Sequence, residues 1–188
     1  SVTAFTGMDA LTHAIEAYYS INATDITDLF AYRAMELLSK NLRMAYAHGE
    51  NLAARSSMME GSLLAGIAFA NAGVGAVHAF AYPLGGEFHL AHGLTNTLML
   101  PYLMRYNILG CPYKFAQMAK AFGEKVEGLS ELDGAETAVK FVERLSDDIR
   151  VPRRLRDVRI PEDAIPRLAE AAMKVTRLLA NNPRKITL

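Results

Sequence analysis

Cysteine is nearly missing from this chain, Cys111 being the only one among 188 residues. No internal disulfide can form, so an oxidising compartment is not required and a cytoplasmic protein is the expectation. An excess of one charge is missing too. Twenty Lys and Arg stand against twenty Asp and Glu, with a sequence pI near 6.9. Such a balance sets up no global field to draw in nucleic acid or an acidic membrane. The long uncharged apolar run of a membrane span is also missing. The longest uncharged stretch, between Glu60 and Glu87, is interrupted by six glycines, Asn71, His78 and Pro83, and reads as a buried helix-and-turn system. No signal peptide is expected at the start. Apolar and polar residues nowhere alternate over a sustained run with hairpin signals, and no fixed-period repeat or low-complexity segment is visible. Small-molecule chemistry or protein contacts remain.

What is present is helical periodicity. At 20.6 kDa one domain with a proper core is expected, since a chain of roughly 150 residues buries about 70% of its unfolded surface. Thr6 and Asp9 resemble a capping box ahead of a first helix, whose Met8, Leu11, Ile15 and Tyr18 recur at core spacing. Thr24 or Asp25 caps a second helix over about 26–47, with Leu29, Phe30, Ala34, Leu37, Leu38 and Leu42 inward and Gly49 after His48 as the stop. Small residues Ser57, Gly61, Ala65 and Gly66 along 52–70 suggest a central third helix. After a break at 71–73, residues 74–84 resume a helix that carries His78, ended by Gly85-Gly86, and a loop leads to His92. Further helices are expected over 93–107, with a kink or restart at Pro101, then over 113–122 and 130–150. The last spans 161–180, with Pro161 in the first turn. The fold class is therefore all-α, a multi-helix bundle over residues 1–188.

The chemistry concentrates in two stretches. Gly66–Asn107 holds His78, His89 and His92, three of the five histidines, in apolar and glycine-punctuated surroundings. Gly7–Tyr18 holds Asp9 and His13 four residues apart, on one face of a helix, where two such groups can grip one ion. Taken alone, His13 reads as a core or surface histidine sooner than a ligand, and capping or the helix dipole also accounts for Asp9. His78 lies between Val77 and Ala79, where an unpaired imidazole is costly to bury, so it needs a partner. One carboxylate with three imidazoles suits Fe²⁺ or Zn²⁺ and not Ca²⁺, which prefers oxygen cages. His48 beside Gly49 reads as a helix C-terminal residue, and Cys111 as a structural thiol. The glycines at 73 and 75 imitate a dinucleotide fingerprint, but His78 stands where the third glycine belongs and no acidic residue follows at the right distance. Close helix packing and a kink explain them better. Arg150, Arg153, Arg154, Arg156 and Arg159 lie among Asp147, Asp148 and Asp157 and read as a solvated, salt-bridged face.

Four segments, TGMDALTHAIEAY at 6–18, GIAFANAGVGAVHAFAYPLGG at 66–86, HGLTNTLMLPYLMRYN at 92–107 and NNPRKITL at 181–188, together resemble the iron-containing (group III) alcohol dehydrogenases, a family that includes lactaldehyde reductase. The likeness runs over nearly the whole chain and fixes order, spacing and glycine placement together. It implies the helical, metal-binding C-terminal half of a two-domain, dehydroquinate synthase-like enzyme, with the nucleotide-binding half ahead of it and a last helix cut short. It implies Asp9, His13, His78 and His92 as the metal ligands, with Fe²⁺ bound and Zn²⁺ as the alternative. Some members carry a further histidine one turn after the His78 position. Tyr82 stands there in this sequence and is expected to line the substrate pocket in its place.

The activity implied is reversible oxidation of a small primary alcohol to its aldehyde, with hydride passing to NAD or NADP and the metal acting as Lewis acid on the substrate oxygen. The nicotinamide cofactor is expected to be held mainly by the absent half, so residues 1–188 alone should not turn over. Helices left uncovered without that half point to association of copies of the chain. Two other readings stay open: a three-ligand zinc enzyme of the glycerol dehydrogenase or dehydroquinate synthase kind, and a non-catalytic helical scaffold whose histidines are merely packed.

Overall fold

A computed structural model describes residues 2–188 and, among them, shows helices and no strand. The order is α1 (Val2–Tyr19), α2 (Asp25–Ala47), α3 (Leu52–Ala72), α4 (Ala76–Phe88), α5 (His92–Ile108), α6 (Pro112–Ala121) and α7 (Glu131–Asp148). Two 3₁₀ turns at Leu155–Val158 and Glu162–Ala164 then precede α8 (Ile165–Met173) and the single turn α9 (Thr176–Leu179). The all-α bundle expected from periodicity is the fold observed.

α1 is the hub. It packs against α2, α3, α5 and α6, and Ala4, Met8, Leu11, Ala14, Ile15, Ala17 and Tyr19 are buried on several sides of it. A helix surrounded by other helices is apolar nearly all round, as this one is apart from three threonines, Asp9, His13 and Glu16. α3, expected to be central, lies instead at the edge. Of its small residues, Gly61 and Ala65 are buried in a narrow seam, in which a Cβ on Gly61 would come within 2.8 Å of Leu38, whereas one on Gly66 would meet nothing within 4 Å. Its other face leaves Leu52, Met59, Leu63 and Ile67 exposed.

Several expected boundaries shift, each for a local reason. The first helix already runs from Val2, and the Thr6 hydroxyl bonds back to the Val2 carbonyl at 3.0 Å, so Thr6 and Asp9 form no capping box. The box belongs to α2, where Thr24 and Thr27 satisfy each other's backbone N–H. Leu29 is 72% exposed and not part of the core. α4 continues through Gly85-Gly86 to Phe88 and stops at His89, whose left-handed backbone (φ 54°) ends the helix. Pro101 neither breaks nor restarts α5, which passes through it as one element. The last long helix is divided. Pro161 precedes a 3₁₀ turn, and Pro166 takes the first-turn place in α8 that had been assigned to Pro161.

No single helix among the described residues is long and apolar enough to cross a membrane; α3 and α4 together reach that length, but they meet at a 105° bend. Gly73, with φ 77°, makes the corner. The glycines at 73 and 75 thus serve a turn between helices, and no strand precedes them.

Candidate metal centre

Three faces meet at one point. α1 supplies Asp9, His13 and Glu16, at positions i, i+4 and i+7 of one helical face. α4 supplies His78 from its first turn, and α5 supplies His92 from its first residue and Asn96 one turn on. The close approach of α5 to α1 depends on Gly93, where a Cβ would lie 2.1 Å from the Phe5 carbonyl oxygen and 3.2 Å from the Asp9 Cβ. A helix with a side chain there could not bring His92 and Asn96 to Asp9.

Donor atoms of Asp9, His78 and His92 all lie within 4.8 Å of one another. The His92 Nε2 is 3.6 Å from Asp9 Oδ1. Asn96 Nδ2 stands among them, 2.6 Å from Asp9 Oδ1 and 3.1 Å from both His78 Nε2 and His92 Nε2. His13 is adjacent but outside this group of three. Its ring packs 4.5 Å, centroid to centroid, from that of His78, and its Nδ1–H donates to the Asp9 carbonyl at 2.8 Å. Burial and the neighbouring His78 hold the His13 pKa below the usual 6.5, so its imidazole is neutral at pH 7, the form that can ligate a metal.

The partner that His78 needs is Glu16, fully buried and not anticipated from the sequence. Glu16 Oε2 accepts the His78 Nδ1–H, while Oε1 accepts the backbone N–H groups of Gly75 at 3.1 Å and Val77 at 2.7 Å and the Tyr19 hydroxyl at 3.1 Å. One carboxylate therefore caps the amino end of α4, where the helix dipole favours an anion, and fixes the His78 tautomer so that the Nε2 lone pair faces Asp9 and His92. Metal-ligating histidines are commonly held in this way by a carboxylate on the far nitrogen. Burial beside Glu16 pushes the Tyr19 phenol well above its ordinary range, so it stays a donor. Signals for both unanticipated residues existed: Glu16 follows His13 by three, and Asn96 follows His92 by four.

Exposure rises from one side of the site to the other. Side chains of Glu16 and His78 are 0% and 2% exposed, Asp9 23% and His92 47%. Tyr82 stands at the open rim, its ring 6.4 Å from that of His78 and 6.0 Å from that of His92. His89 ends α4 outside the cluster, and His48 caps α2. Cys111 is removed from the site, its thiol pushed up to about 11 by burial, as a structural cysteine requires.

The donor set fits a first-row divalent ion: one carboxylate and two imidazoles whose Nε2 atoms face the same point, with a second carboxylate behind His78. It also leaves the buried Asn96 Oδ1 without a hydrogen-bond partner.

Known proteins resemble the chain over nearly its whole length. A family model, "Fe-containing alcohol dehydrogenase family, C-terminal", matches residues 3–188. The chain is 49% identical over 185 residues to the 1,3-propanediol dehydrogenase of Klebsiella pneumoniae, covering 98% of this chain and 48% of that protein. It is 39% identical over 188 residues to the lactaldehyde reductase of Escherichia coli K12, covering 100% of this chain and 48% of that one. The crystal structure of a 1,3-propanediol oxidoreductase superposes with a TM-score of 0.96 at 49% identity, over 98% of this chain and 48% of that one. The chain spans about half the length of the curated relatives it matches. Matched in sequence and in backbone over nearly all its residues, the chain belongs to the iron-containing alcohol dehydrogenase family, to whose C-terminal, helical part it corresponds.

Proposed function

We propose that this chain is the metal-binding part of an NAD(P)-linked oxidoreductase that interconverts a small primary alcohol and its aldehyde. The observation that carries the reading is the convergence of Asp9, His78 and His92 within 4.8 Å in a member of this family. The reaction's chemistry comes from groups the chain holds or meets: a divalent ion, Fe²⁺ before Zn²⁺, acting as Lewis acid on the substrate oxygen, and NAD or NADP, bound mainly outside residues 1–188, exchanging hydride.

The residues of the chain position and exclude. Asp9 is the one carboxylate among the donors, so with a divalent ion the centre keeps net positive charge toward an anionic oxygen. Glu16 presents the His78 lone pair inward. Burial of His78 and Glu16 closes one side to water, so a small substrate enters past Tyr82 and His92. Tyr82 lines that entrance, so no proton relay through a histidine runs at that position.

Metal analysis of the purified protein tests the reading. His78→Ala and His92→Ala are each expected to abolish metal retention, and normal occupancy in either variant would refute its role. A three-ligand zinc site of the glycerol dehydrogenase kind is the second reading, favoured by one observation: His13 stands outside the group of three donors. His13→Ala separates the two, because a four-ligand centre loses its ion and a three-ligand centre keeps it.

A further inference from the structure

Asn96 is fully buried, and its amide nitrogen occupies the point where the donor atoms of Asp9, His78 and His92 converge. A side-chain amide has two hydrogens to give, and Asp9 Oδ1, His78 Nε2 and His92 Nε2 all lie within 3.1 Å of its nitrogen, so at most two of them accept from it at once. The His78 Nε2 is an acceptor there because its Nδ1–H is committed to Glu16. Reversing the amide would set Oδ1 against a carboxylate and against that lone pair, so the network fixes its orientation. The acceptor end is left unpaired in the interior. The donor end is thus held by the ligand atoms at the expense of the other end, an arrangement that packing alone does not call for.

We propose that Asn96 is a built-in competitor of the cation: its amide stands among the three donor groups, giving its hydrogens to the Asp9 carboxylate and the His78 Nε2 lone pair that a metal ion would take, and it must turn away before an ion is bound. This rests on the metal reading above. The competition keeps three mutually repelling acceptors in register, and it sets the net affinity of the site by the hydrogen bonds an ion has to displace. Asn96 acts through Asp9, His78 and His92, and so is a positioning residue.

The test uses Co²⁺ as the probe, in the protein that carries this chain at its natural length. Asn96→Leu keeps the bulk and removes the donors, and Asn96→Ala serves if the leucine variant does not fold. Tm is measured for the chelator-treated and the Co²⁺-loaded forms, and the Co²⁺ Kd by competition with a chelating dye. The expected result is a lower Tm for the chelator-treated variant only, a wider gap between the two forms, and a Kd at least about threefold tighter. If both forms lose stability together at unchanged Kd, Asn96 is only packed; if Kd weakens, it supports the bound ion. Either outcome overturns the proposal. A parent protein that binds no stoichiometric Co²⁺ removes the metal reading and this proposal with it, a result distinct from either variant pattern.

Discussion

Both carboxylate oxygens of Glu16 are taken, one by His78 and the other by Gly75, Val77 and Tyr19. Glu16→Gln keeps the shape but turns one end of the side chain into a donor. With Oε1 still facing the two backbone N–H groups, the new amide meets His78 Nδ1, which must then accept, moving the imidazole proton to Nε2. Metal affinity is expected to fall about 10- to 100-fold, read by competition with a chelator, with a smaller drop in Tm. Glu16→Ala leaves several buried donors unsatisfied, each at about 1–3 kcal/mol. At this scale the sequence is legible where residue type is diagnostic. Spacing alone leaves Asp9 and His13 open to ordinary helical roles; the family resemblance names Asp9, His13, His78 and His92 together, and the structure brings the donor atoms of Asp9, His78 and His92 within 4.8 Å, with His13 beside them. Glu16 does not stand out, because a glutamate on an amphipathic helix ordinarily faces water. Its burial is decided by α4, some sixty residues further along.

Helix existence was readable from apolar spacing for α1 to α7, and helix ends were not. Gly85-Gly86 reads as a stop, yet α4 continues through both until His89 adopts a left-handed backbone. α3 reads as central because small residues recur along it, although such a pattern marks only the one seam facing α1 and α2. Two glycine substitutions separate these roles. Gly93→Ala forces a Cβ into the Phe5 backbone, so α5 must draw back from α1. A loss of about 1–3 kcal/mol is expected in urea denaturation, with weaker metal retention because His92 leaves Asp9. Gly66→Ala, on α3 with nothing within 4 Å of the new Cβ, is expected instead to stabilise by about 0.5–1 kcal/mol through helix propensity.

Across the whole molecule the final segment acts as a clasp. Asn182 and Asn107 exchange amide hydrogen bonds at 2.8 Å each, Asn181 donates to the Val74 carbonyl, and Arg184 reaches the Tyr106 carbonyl with its guanidinium over the Tyr106 ring. The end of α5 and the turn ahead of α4 are thereby joined, and the Ile21 N–H, which donates to the Asn181 carbonyl at 3.0 Å, ties in the segment after α1. Asn182→Ala leaves the fully buried Asn107 amide without its partner, and a loss of about 1–3 kcal/mol is expected, measured as a fall in Tm. On the opposite flank Arg105 bridges Glu136 and Glu143 while Arg153 bridges Glu143 and Asp147, so at Arg153 the basic run is salt-bridged as its composition suggests. The family was legible in four short segments and the all-α class in helical periodicity, whereas the clasp depends on amide pairs from distant positions that no local pattern announces. The same remoteness governs the centre itself. Side chains numbered 9, 78 and 92 share no neighbourhood in a denatured polypeptide, so the affinity for a divalent ion proposed for them would belong to the native ensemble. Free ion concentration then becomes a thermodynamic lever on folding: each further tenfold excess over the dissociation constant deepens the native well by about 1.4 kcal/mol.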